Sequence, residues 1–156
     1  MKDKWFVIVN PTSGNGASKK KWLVINKELI QQNFKIEVVF TAYKKHSIKL
    51  VEIAIKKGFK NFICVGGDGT LHNIVNDILS FNPTNISEIK IGVIPIGTGN
   101  DWVKTYNISS NFKKAITIIK NEKTLKQDIG KISINSTNKT VYFNNLELVL
   151  ALMVTL

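Results

Sequence analysis

The chain has 156 residues, 22 of them basic and 11 acidic, and so a net charge of +11. Apolar residues make up 44% and charged residues 21%, with a mean hydropathy of +0.01, a balance that excludes compositional disorder. No apolar run reaches the ~18 residues of a membrane-spanning helix, and the first one stops too early for a signal-peptide core.

That first run, Trp5 to Val9, is β-branched and apolar, and it ends at Asn10-Pro11-Thr12-Ser13-Gly14-Asn15-Gly16. A short apolar run closed by turn residues predicts a buried strand feeding a loop. Ser18 is placed to cap the next segment, where Trp22, Ile25, Leu29 and Ile30 recur at helical spacing. Ile36 to Thr41 predicts a second strand. A second helix is expected from His46 to Lys57, ended by Gly58. Phe62 to Val65 forms the third predicted strand. It carries the only cysteine, Cys64, which excludes a disulfide framework and reads as a small buried hydrophobe. Gly66-Gly67-Asp68-Gly69-Thr70 follows, and then a helix marked by Leu71, Ile74, Val75, Ile78 and Leu79. Ile91 to Ile96 is a fourth strand, running into Gly97-Thr98-Gly99-Asn100-Asp101. Phe112 to Lys120 is a further amphipathic helix.

Strand and helix thus alternate four times, with strands that are continuously apolar rather than alternating. Such strands are covered by helices on both faces, so a doubly wound, mostly parallel α/β sheet is expected. After about Gln127 the pattern changes to a hairpin, Ile129–Ile134 and Thr140–Phe143, around Asn135-Ser136-Thr137-Asn138. This divides the chain into a domain over residues 1–128 and a β-rich segment over 129–156.

All three glycine-rich loops follow predicted strands, so a parallel sheet gathers them at its carboxyl edge, where open α/β sheets bind ligands. Glycine lets backbone reach positive φ and approach a ligand closely. A helix starting directly afterwards offers free N–H groups to phosphate. Thr12, Ser13, Thr70 and Thr98 can add hydroxyl donors. Asp68 either faces a metal-bound phosphate or a ribose, or caps the helix that follows it. Two tight glycine turns, each with an acid and a threonine, point to phosphate binding. Neither is a dinucleotide-binding G-x-G-x-x-G fingerprint or a Walker A loop with its lysine. All 22 basic residues are lysine, which leaves no bidentate guanidinium fork and speaks against a specific nucleic-acid partner. Lysines still attract nucleotides or an anionic membrane surface.

The order and spacing of Asn10-Pro11-Thr12-Ser13-Gly14, Gly66-Gly67-Asp68-Gly69-Thr70 and Pro95-Ile96-Gly97-Thr98-Gly99-Asn100-Asp101 resemble the diacylglycerol kinase catalytic domain, over residues 1 to about 130. Bacterial lipid kinases, sphingosine kinases and ceramide kinases share that domain. NAD kinases also carry the double-glycine acid motif, and the third loop favours the lipid side. The resemblance implies an ATP site built from Asn10, Thr41, Gly66, Gly67, Asp68, Gly69, Thr70 and Thr98. It implies a substrate cleft shaped by Gly97, Gly99, Asn100 and Asp101. ATP and Mg²⁺ follow as cofactors, a lipid hydroxyl at a membrane surface as acceptor, and the cytoplasm, peripheral to the inner face of the membrane, as location. His46 falls where the family often has a histidine and reads as structural. Asn73 and Asp77 depart from the usual Glu and Gly. The resemblance places the metal-binding acids and the catalytic base in a second, β-rich domain, so no catalytic residue is assigned to this chain and little activity is expected of it alone. That leaves a non-catalytic nucleotide-binding remnant and an NAD kinase-like enzyme as alternatives.

Leu146 to Leu156 does not fit the family pattern. If its leucines are TTG codons and the frame moves back one nucleotide, it rereads as Gly-Ile-Gly-Phe-Gly-Val-Asp-Gly-Tyr-Val, which does. A frameshifted or split gene is therefore expected, the alternative being a natural apolar terminal strand. Homo-oligomer formation through that apolar tail stays open.

Overall fold

A computed structural model describes residues 4–81, 83–97, 99–134, 139–143 and 152–155. β1 (Lys4–Val9) is the second strand from one edge of the sheet. It pairs in parallel with β2 (Lys35–Phe40) on one side and with β3 (Asn61–Gly66) on the other. β4 (Lys90–Pro95) continues the parallel sheet beside β3. β5 (Thr124–Gln127) and β8 (Leu152–Thr155) complete the order β2-β1-β3-β4-β8-β5, with β8 parallel to β4 and β5 antiparallel to β8. β6 (Gly130–Ile134) and β7 (Lys139–Phe143) form the expected hairpin as a separate two-stranded sheet. Its turn residues, 135–138, lie outside the described residues.

Alternate residues of β1, β3 and β4 face opposite sides, so each side needs its own helical cover. Phe6, Ile8, Phe62, Cys64, Ile91 and Val93 pack under α2 (His46–Lys56) and α3 (Asp68–Ser80). Trp5, Val7, Val9, Ile63, Val65 and Ile94 pack under α1 (Ala17–Gln31) and α5 (Phe112–Lys120). The doubly wound sheet is as expected. Cys64 is fully buried, and desolvation, with the Asp68 charge adding to it, raises its thiol far above the ordinary range. It is an inert core residue.

Helix ends differ in detail from the sequence reading. α1 starts after Gly16, whose φ of 83° suits glycine, and no side chain caps it. Ser18 lies inside the helix, and its buried Oγ has no hydrogen-bond partner among the described residues, so it is not the cap. Gly58, at φ 79°, does end α2. A short helix absent from the sequence reading, α4 (Asp101–Thr105), follows the third loop.

Gly92 in β4 lets α5 sit close to the sheet. A Cβ there would lie 2.8 Å from two carbons of the buried Ile119 side chain. Gly92→Val is expected to destabilise the fold by about 2–3 kcal/mol through overpacking. A lowered urea midpoint at unchanged slope is the measurement that checks it.

Candidate nucleotide site

The sheet order reverses direction between β1 and β3, the switch point at which doubly wound sheets open a crevice. The loops leaving these two strands are stitched together across it. Asn10 N–H donates to the Val65 carbonyl at 3.0 Å, and the Asn10 side-chain amide donates to Thr70 Oγ1 at 2.9 Å. Asn10 Oδ1 accepts from both the backbone and the hydroxyl of Thr12, and Ser13 Oγ lies 3.3 Å from Thr70 Oγ1. One asparagine thus holds the first loop in shape and fixes it to the start of α3.

Between these loops and the end of β2 lies a cleft of about 390 Å³, lined by Asn10, Pro11, Thr12, Thr41 to Ser47, Thr70 and Asn73. Thr41 is anchored there by its N–H on the Val9 carbonyl, 2.9 Å away. Asn10, Thr41 and Thr70, separated by up to 60 positions, are brought together in the lining of the cleft. Lys44 and Lys45 were not among the candidates. Their place just after a predicted strand was the available signal. The lining has two lysines, a histidine and no carboxylate, so its charge favours an anion. His46 is structural: its Nδ1 accepts the Ala42 N–H at 3.1 Å, and its ring stacks on Tyr43.

The second loop corrects the sequence reading in two respects. None of Gly66, Gly67 and Gly69 has a positive φ. Glycine is needed at the first two for clearance: a Cβ on Gly66 would sit 2.6 Å from Thr70 Oγ1, and one on Gly67 would sit 3.3 Å from Asn100 Oδ1. Among the described residues nothing lies within 4 Å of a Cβ added at Gly69, so that position faces open space. Asp68, in turn, does not cap its own helix, where Gly67 is the N-cap residue without a side-chain bond. Its Oδ2 accepts the Asp101 N–H at 2.8 Å and its Oδ1 the Trp102 N–H at 3.4 Å, which anchors the start of α4.

The third loop therefore leans on the second. Gly97 passes close to Gly67, and Gly99 comes close to the Asp68 carboxylate. Asn100, buried and at φ 52°, donates its side-chain amide to the Gly97 carbonyl. Asp101 is exposed and pairs with Lys104. Thr98 lies outside the described residues.

The family model for the diacylglycerol kinase catalytic domain matches residues 4–132. The chain belongs to that family. It is 31% identical over 127 residues to a diacylglycerol kinase of Staphylococcus haemolyticus, covering 81% of this chain and 37% of that one. It is 33% identical over 121 residues to sphingoid long-chain bases kinase 1 of Arabidopsis thaliana, covering 75% and 16%. The fold matches the crystal structure of a diacylglycerol kinase from Bacillus anthracis with a TM-score of 0.70 at 24% identity, over 81% of this chain and 42% of the other. The chain thus spans less than half the length of these relatives. Among the described residues, no helix is long and apolar enough to cross a membrane.

One buried carboxylate of this diacylglycerol kinase domain ties its stability to pH. Asp77, on α3, is 9% exposed and faces Ser47 of α2, while its Oδ2 has no hydrogen-bond partner among the described residues. Burial raises its pKa above the ordinary 3.8, against the lowering effects of the Ser47 bond and the His72 charge. The folded chain then holds this proton more tightly than the unfolded chain. Stability from this group falls as pH rises from about 4 through the raised folded pKa and is flat above it. Asp77→Asn is expected to raise the melting temperature at pH 8 more than at pH 4. A difference independent of pH would contradict this account.

Proposed function

We propose that this domain binds ATP in the cleft at the switch point and presents its terminal phosphoryl group to a lipid hydroxyl, of diacylglycerol or a related lipid. The observation that carries the reading is the Asn10–Thr70 bridge beside the open space at Gly69: two loops fixed to each other, with backbone left clear for a ligand. Phosphoryl transfer is mostly positioning and charge neutralisation, which suits such a frame. Lys44 and Lys45 supply positive charge, and Asn10, Thr41 and Thr70 supply side-chain hydrogen-bonding groups. The first turn of α3 adds backbone N–H groups ahead of Thr70 and Leu71, the two that donate to the Gly67 carbonyl. The names of the relatives, a diacylglycerol kinase and a sphingoid base kinase, support a lipid alcohol as acceptor.

Mg²⁺ fits in part. Among the described residues no three metal-ligating side chains cluster. Mg²⁺, however, commonly takes one or two carboxylates together with substrate phosphates and water. Asp68 retains lone pairs beyond its two backbone bonds and would be the carboxylate; the ion would neutralise phosphate charge. We place the protein in the cytoplasm, peripheral to the membrane holding its acceptor.

A second reading, a nucleotide-binding remnant without catalysis, is favoured by one observation: among the described residues no carboxylate lines the cleft to take a hydroxyl proton. Calorimetry with ATP tests the binding, and radiolabel transfer to diacylglycerol, sphingoid base or NAD tests the chemistry. Binding with almost no transfer is the expected result for this chain alone. Preferential transfer to NAD would replace the lipid reading, and absence of ATP binding would end both.

A further inference from the structure

α1 presents an outward face that its role in the core does not explain. Leu23 is 78% exposed, Ile30 58% and Val24 52%, on the side of the helix opposite the buried Ile25 and Leu29. Spacings of three, four and seven residues put Leu23, Val24 and Ile30 on one surface with Lys20 and Lys27. Lys19 and Lys21 are exposed at the same end of the helix. The only acid in α1 is Glu28, which already accepts a hydrogen bond from Gln32. Trp22 continues the apolar surface sideways by packing edge-on against the exposed Phe40, at the end of the edge strand β2.

We infer that this face of α1 docks the protein on an anionic bilayer. Exposed leucine and isoleucine set among lysines are what a helix needs to lie in the interfacial plane, apolar groups in the acyl boundary and ammonium groups at lipid phosphates. The lysines argue against the other occupants. A symmetric pairing of two copies through this face would set lysine against lysine. An apolar protein surface would bury the same charges without partners. Because α1 begins directly at the end of the first glycine loop, docking through it brings the nucleotide cleft close to the bilayer. The purpose of the contact rests on the lipid-acceptor reading above, but the contact itself does not. α2 also exposes two isoleucines, Ile48 and Ile53, less fully and beside the Lys56–Glu52 pair, and so provides a control surface.

The test is sedimentation of the full chain with phosphatidylglycerol-rich vesicles and with pure phosphatidylcholine vesicles, with circular dichroism confirming the fold of each variant. Binding to the anionic vesicles alone, weakened by salt, is expected. Leu23→Ser with Ile30→Ser, and Lys20→Glu with Lys27→Glu, should each weaken it by about tenfold or more, while Lys49→Glu on α2 leaves it within about twofold. These side chains are exposed, so the variants keep their fold. No binding by the parent chain, equal loss in Lys49→Glu, or full binding by both double variants would overturn the inference. So would a dimer in sedimentation equilibrium that Leu23→Ser dissolves. Failure of ATP binding with vesicle binding intact would sink the kinase reading and leave this one standing.

Discussion

Gly69→Val is expected to lose at least about tenfold in ATP affinity while keeping its melting temperature, because the side chain enters space that only a ligand would use. Gly69 is the second residue of α3, has an ordinary helical backbone, and among the described residues has nothing within 4 Å of an added Cβ. Valine is a slightly better helix residue than glycine, so the fold itself loses nothing and gains at most a few tenths of a kcal/mol. A tenfold loss corresponds to about 1.4 kcal/mol of binding free energy. Gly66→Ala is the contrasting variant. Its Cβ would collide with Thr70 Oγ1, displace the partner of Asn10 and lower stability as well as affinity. Calorimetry with ATP alongside thermal melts separates the two. Unchanged affinity in folded Gly69→Val would put the nucleotide elsewhere.

Asp68→Ala is expected to lower stability by about 1–2 kcal/mol in the absence of nucleotide and metal, since it removes charge-assisted hydrogen bonds to two backbone N–H groups, at a partly exposed site. α4 is only five residues long and has no side-chain cap of its own, so it depends on this carboxylate from another loop. The loss reaches further through Trp102, which is buried and donates its indole N–H to Gln127 at the end of β5. Faster amide exchange at Asp101 and Trp102 is the direct readout. Asp68→Asn keeps an acceptor while removing the charge, so it should recover much of the stability and still lose any Mg²⁺-dependent part of ATP binding. If Asp68→Ala matches the parent in stability and exchange, the carboxylate does not anchor α4.

The four core strands were legible because continuous apolar runs bounded by Asn, Pro and Gly are simple one-dimensional signals. The hairpin after Gln127 was legible for the same kind of reason. The helices over the sheet were legible from 3.6-residue spacing, and α2 and α5 begin where expected, but the start of α1 was not legible. Ser18 has a capping side chain, yet Gly16 opens α1 and Ser18 falls inside it, because the start of a helix depends on how the preceding loop leaves its strand. α4 escaped notice because five residues carry no periodicity.

For the site, chain order alone sets which residues reach the carboxyl edge of the sheet. Strand, loop and helix alternate in order, and a parallel sheet brings every such loop to one edge. Asn10, Thr41 and Thr70 meet there for that reason. What each loop residue touches depends on contacts between loops far apart in the chain. Asp68 bonds to residues 33 and 34 positions away, and Gly67 is small because Asn100 lies against it. Such contacts depend on the distance between neighbouring strands and on the angle at which each chain leaves them. No local pattern encodes either, which is why an acid between two glycines read as a cap for its own helix, and anchors the helix of the next loop instead.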